Sequence, residues 1–158
     1  METIISIISL VIAIISALAA GVTFFWTSSR DRKQATLEAF NRLQAEVFDN
    51  LNQYRPSDIP NICKDKKSEE YKKLSGYVAR IEHFCVGLNK KIYDKNTFYE
   101  LAHGYFDGDQ IKKRICPIIE VKNSSNNSNE QFYNDILSVL AWMDKKHKSK
   151  KKKKTKQA

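Results

Sequence analysis

The sequence predicts an all-α protein: one N-terminal transmembrane helix that continues into a small cytoplasmic helical bundle, followed by a disordered basic C-terminal tail. Three observations predict it. The stretch from Ile4 to Trp26 holds 18 apolar residues in 23 and no charge. The middle of the chain repeats its apolar residues at helical spacing, with no alternating strand pattern anywhere. Nine lysines crowd between Lys145 and Lys156, which leaves the remainder of the 158-residue chain neutral although the whole carries +9. The boundaries that follow are an anchor over 1–29, a helical domain over 30–144 and a tail over 145–158. At this length there is room for one ordinary domain, which excludes a large multidomain enzyme. Three cysteines and a neutral body likewise exclude a disulfide-stapled chain and a uniformly basic nucleic-acid-binding domain.

As a helix, 23 residues at about 1.5 Å each reach about 34 Å, enough for a hydrocarbon core of about 30 Å with a modest tilt. A cleaved signal peptide is the rival reading, because Ala17-Leu18-Ala19 offers small residues at cleavage spacing. Against it, no lysine or arginine precedes the segment, and hydrophobicity runs on through Phe24, Phe25 and Trp26. Only Glu2 is charged before the segment, whereas Arg30, Arg32 and Lys33 follow it. Positive flanks stay cytoplasmic, so the expected location is the inner (plasma) membrane, with the N-terminus outside and the body inside. Ser9, Ala13, Ala17 and Gly21 recur every fourth residue, and such a face lets a second membrane helix approach closely.

From Arg30 to Tyr54 there is no proline or glycine, and Leu37, Phe40, Val47, Leu51 and Tyr54 fall at helical spacings, so the membrane helix is expected to continue inward. Pro56 and Pro60 stop it, and a loop runs to about Lys67. Ser68 can cap the next helix, whose stripe comprises Tyr71, Leu74, Tyr77, Val78, Ile81, Phe84, Cys85 and Leu88. Thr97 to Glu100 reads as a capping box that opens a third helix. A break is expected near Asp107, between Gly104 and Gly108, and Ile111, Ile115, Ile118 and Ile119 resume the helix, with a kink at Pro117. Asn123–Asn129, only asparagine and serine, is a linker. Ser128 and Gln131 form a second capping box before Phe132, Tyr133, Ile136, Leu137, Leu140 and Met143.

Little in this chain points to catalysis. There is no phosphate-cradling glycine loop, no G-x-S-x-G elbow and no H-E-x-x-H, and the protein is read as a non-enzyme without cofactor. Cys63, Cys85 and Cys116 lack C-x-x-C spacing, and Cys85 and Cys116 read as buried packing thiols. His83, His103 and Cys85 fit no tetrahedral signature, so no metal is expected. Glu82 borders the apolar stripe, where a carboxylate needs a partner, and reads as a buried hydrogen-bonded anchor. Asp94 reads as a turn or capping residue.

The tail (Lys145, Lys146, Lys148, Lys150, Lys151, Lys152, Lys153, Lys154 and Lys156) reads as a solvated arm seeking an anion. Close to an anionic leaflet each lysine contributes about 1 kcal/mol, so lipid headgroups are the favoured partner. Nucleic acid is the less favoured one, bound without sequence preference and in a salt-sensitive way.

The run Ile81-Glu82-His83-Phe84-Cys85-Val86-Gly87-Leu88, with Lys91-Ile92-Tyr93-Asp94 and Tyr99–Tyr105 after it, resembles a bacterial domain-of-unknown-function family of single-pass, membrane-anchored helical proteins. The resemblance spans about residues 5–143 and implies that Glu82, Gly87 and Asp94 form a structural motif. Where such families often have a glycine in the turn, this chain has Lys90-Lys91. No activity or cofactor comes with the resemblance. The leading functional expectation is an adaptor that binds a protein partner or a second copy of itself. The alternatives are a membrane tether for nucleic acid through the tail, and a small membrane-active stress or phage-defence effector.

Overall fold

The structure, a computed structural model, describes residues 2–106, 110–124 and 132–155. In chain order the elements are α1 (Glu2–Leu43), a π-helical turn (Gln44–Phe48), α2 (Asp49–Leu51), α3 (Ile59–Ile62), α4 (Glu69–Asn89), α5 (Lys95–Phe106), α6 (Gln110–Ser124) and α7 (Asn134–Thr155). Among the described residues there is no strand.

The first helix has two parts that differ in burial. Its N-terminal part is long and apolar enough to cross a membrane, and none of its most apolar window is buried. The core helix of a soluble protein would be mostly covered, whereas here Phe25 is 75% and Trp26 72% exposed. Past Thr36 the same helix turns its apolar residues into the core, burying Phe40 and Leu43. Leu37, expected on that stripe, remains 43% exposed. The π-helical turn adds a residue to one turn of the helix and sets Val47, Phe48 and Leu51 fully inside. The Asn50 amide donates to the Glu46 carbonyl at 3.1 Å, satisfying an acceptor where the regular ladder is interrupted.

Pro60 does not lie in a plain loop. It occupies the first turn of α3, where a missing N–H costs nothing, and Ile59 beside it is fully buried. Ser68 caps α4 as its position implies, accepting from the Tyr71 N–H at 3.2 Å. The α4 stripe then buries Tyr71, Leu74, Val78, Ile81, Phe84, Cys85 and Leu88. The cap of α5 differs from the expected Thr97 box: Asp94 accepts from both the backbone N–H and the hydroxyl of Thr97, at 2.8 and 2.9 Å. A carboxylate three residues ahead of a free N–H outcompetes a hydroxyl that is itself inside the helix. Helix α6 runs through Pro117 unbroken.

Ile136, Val139, Leu140 and Met143 of α7 close the core, while Phe132 lies outside it at 47% exposure. The expected break around Asp107, most of the asparagine–serine linker, the Ser128–Gln131 box and Lys156 fall outside the described residues.

The tail departs from expectation. Instead of a disordered arm, α7 continues through Lys145 to Thr155. Lysines in the last turns of a helix face its negative end, which favours them, and the start of this stretch is held to the body by contacts described below.

Candidate functional site

Between the inner half of α1 and the middle of α4 lies an open groove of about 600 Å³. Three alanines, Ala35, Ala39 and Ala79, line it, and their small side chains leave the space that a leucine would fill. Phe84 and Tyr93 line it too, their rings stacked at 5.0 Å. Leu43 and Val47 add to the floor, Arg42, Glu38, Glu46, Arg80 and His83 supply the polar lining, and Arg80 on α4 bridges to Glu46 in the π-helical turn at 2.6 Å. That pair is more than half exposed on both sides, so it contributes little to stability and can exchange partners. An apolar floor with charged groups of both signs around it is a surface for a complementary side chain or segment. No cue in the periodicity marked this groove, because the three alanines become neighbours only when α1 and α4 pack.

The motif residues Glu82, Gly87 and Asp94 each hold a structural position, with different partners. Glu82 reaches across to α7, where its carboxylate accepts from the N–H groups of Ile136 at 2.8 Å and Asp135 at 3.2 Å. It therefore caps the N-terminus of another helix, supplying the negative charge that helix starts favour. Around it Asn89 donates to Asp135 at 2.6 Å and Lys95 donates to Asn89 at 2.7 Å, joining α4, α5 and α7.

Gly87 is required by contact: a Cβ there would collide with the Tyr93 ring. The Gly87 carbonyl also accepts from the Ile92 and Tyr93 N–H groups at 2.9 and 3.2 Å, closing the end of α4.

Asp94 is tied to α1 through a residue that sequence reasoning passed over. Thr36, fully buried, accepts from the Asp94 N–H at 2.7 Å and donates to the Arg32 carbonyl at 2.7 Å. Burial pushes the Asp94 carboxyl up, but the Thr97 hydrogen bonds and the nearby Lys33 charge outweigh it and hold it below the usual range.

Lys91 takes the left-handed conformation, φ 61°, that glycine adopts without strain. Lys91→Gly is expected to raise stability by about 0.5–1 kcal/mol, measured by urea denaturation. A destabilised variant would show that the lysine side chain outweighs its backbone cost.

The tail lysines do not act as a uniform arm. Lys146 donates to Asn96 at 2.7 Å and lies over the rings of Tyr99 and Trp142, at 4.4 and 5.0 Å from their centroids. Lys150 also lies over the Tyr99 ring, 4.5 Å from its centroid. Burial, followed by the neighbouring Lys150 charge, pulls the Lys146 ammonium below its ordinary value. Lys145 and Lys148 instead border a second, solvent-open hollow on α7.

Cys85 is buried, and burial first, then the charges of Glu82 and Asp135, push its thiol far up, as expected of an unreactive packing group. His83 is exposed on the groove, whereas His103 stacks on Tyr99, 6.1 Å between centroids. Among the described residues no three His, Cys, Asp or Glu side chains gather as metal ligands would. Ser9, Ala13 and Ala17 are exposed along α1, and nothing lies within 4 Å of where a Gly21 side chain would begin.

No curated protein and no solved structure matches this chain. The family described as "Domain of unknown function (DUF4760)" does match, over residues 3–141, which takes in the long apolar first helix, the groove and the Glu82–Asp94 motif together. With nearly its whole length accounted for in this way, the chain belongs to that family of domains of unknown function.

Proposed function

We propose that this protein is a non-enzymatic, single-pass membrane protein whose helical domain is held at the cytoplasmic face and serves as a protein-interaction module. The observation that carries this reading is the continuity of α1: one helix leads from the apolar segment into the core with no linker between them. A domain attached this way keeps a set distance and orientation relative to the membrane-spanning part of the helix. Ala35, at the near end of the groove, comes nine residues after Trp26, about 14 Å along the helix axis. The groove thus opens beside the membrane, where it suits a partner that is itself at the membrane. Arg30, Arg32 and Lys33 support the inward orientation of the body.

Ala79 is exposed on the groove wall, so enlarging it blocks the groove without touching the core. Full-length protein purified from gently solubilised membranes is expected to retain a nuclease-resistant, salt-tolerant protein partner that the Ala79→Trp variant loses. Retention of the same partner by both forms would remove the groove from the reading. Nuclease-sensitive material released at high salt would make the lysine stretch the functional element instead.

A further inference from the structure

The turn between α4 and α5 is held by the Asp94–Thr36 hydrogen bond against the part of α1 that follows the apolar segment. The turn exposes Lys90 and Lys91, and next to them Ile92, an isoleucine 59% open to solvent. Arg32 and Lys33 lie exposed on α1 one turn before Thr36, and the Lys33 charge is felt at Asp94, so the Asp94–Thr36 bond places basic residues of α1 and of the turn at the same end of the domain. Asp31 and Asp94 are the acids beside them, and Asp94 is already engaged as the α5 cap.

Thr36 lies ten residues beyond Trp26, about 15 Å along the helix axis. Headgroups occupy about 6 Å of that distance, and the remaining gap of about 9 Å matches the Debye length at physiological salt. A basic surface at that depth feels the leaflet charge, and an apolar tip flanked by lysines suits the headgroup boundary.

We infer that Lys90, Lys91 and Ile92, together with Arg32 and Lys33, form a second membrane contact that docks the domain onto anionic lipid headgroups of the leaflet from which α1 emerges. This inference rests on α1 being a membrane anchor. The contact gives the exposed isoleucine a role and explains why the turn carries lysine at a position whose backbone favours glycine. It also sets the tilt of α1, which a single helix in a bilayer leaves free, and through the tilt the direction in which the α1–α4 groove faces.

The test reconstitutes the full chain, carrying a nitroxide label at Ile92→Cys, into vesicles of phosphatidylcholine and of phosphatidylcholine with phosphatidylglycerol. Cys63 and Cys85 are buried, and labelling the unsubstituted chain supplies the background from half-buried Cys116. A second label at Val22→Cys reports the anchor independently. In anionic vesicles at low salt the label at position 92 is expected to become shielded from a water-soluble nickel complex and accessible to lipid-soluble oxygen. That shielding is expected to be lost in high salt, in neutral vesicles and in the Lys90→Gln, Lys91→Gly double variant, whose glycine suits the turn.

A Val22 label in the hydrocarbon with a position-92 label equally wet in both vesicle types would overturn the docking contact and leave the anchor standing. A Val22 label in water would overturn the anchor reading and the docking contact with it.

Discussion

Phe98→Ala is expected to lower the stability of the helical domain by about 4 kcal/mol, the upper range for deleting a buried aromatic ring. Phe98 is 1% exposed and sits at the meeting point of three helices: its ring centroid is 5.9 Å from that of Phe40 on α1 and 5.3 Å from that of Phe84 on α4. Phe40 in turn touches Phe48 and Tyr105, so one ring's removal leaves a cavity bordered by aromatics too rigid to collapse into it. Chemical denaturation of the detergent-solubilised full chain measures this. A loss below about 1 kcal/mol would mean that the aromatic cluster is not the element joining α1 to the bundle.

Glu82→Ala is expected to cost about 2–3 kcal/mol, because two N–H groups at the start of α7 lose a charged acceptor in a partly buried position. Glu82→Gln keeps one acceptor oxygen and is expected to lose about half as much. The distinguishing readout is local. Hydrogen exchange at the Asp135 and Ile136 amides should accelerate strongly in the alanine variant while that of the α4 interior changes little. Uniform acceleration throughout the domain would assign Glu82 a general packing role, and unchanged exchange at the two amides would remove it from the cap.

The two effects have different origins. Phe98 acts through volume against Phe40 and Phe84, and Glu82 through hydrogen bonds to the Asp135 and Ile136 amides, so their costs should add within about 0.5 kcal/mol. Both bear on function through the same geometry. If α7 loosens, the Lys146–Tyr99–Trp142 contact that holds the lysine helix to the body loosens with it. If the aromatic cluster fails, the groove loses Phe84 from its wall and α1 loses its fixed relation to the rest.

Much of the secondary structure was legible because it depends on local patterns. Helical periodicity marked the buried faces of α4, α6 and α7, and Ser68 marked the start of α4, since a cap and an apolar stripe are properties of consecutive residues. Asp94 was legible as a capping residue, but its dominance over the Thr97 box was not: which of two neighbouring acceptors wins depends on where the preceding turn is pinned, here by Thr36, 58 residues earlier. The helical course of Lys145–Thr155 was missed for a similar reason. Composition alone favours a repelling, solvated arm, and the Tyr99 ring and Asn96 side chain that receive Lys146 come from α5, far back in the chain. For Glu82 its border position showed that a partner was needed, while the partner, the backbone of a helix 53 residues away, had no signal in the sequence.

By itself, then, the amino-acid sequence determined that this protein is all-helical and begins with a helix able to span a membrane, and it determined which faces of its helices are apolar. Those properties follow from residue identity and spacing along one chain. Only the tertiary structure decided that three alanines on two helices leave a groove beside the core, and that Glu82, Thr36 and the Lys90–Ile92 turn bind distant segments together. These depend on which surfaces meet once the chain has collapsed, and a pairing of residues thirty to sixty positions apart is set by packing geometry that no local pattern encodes.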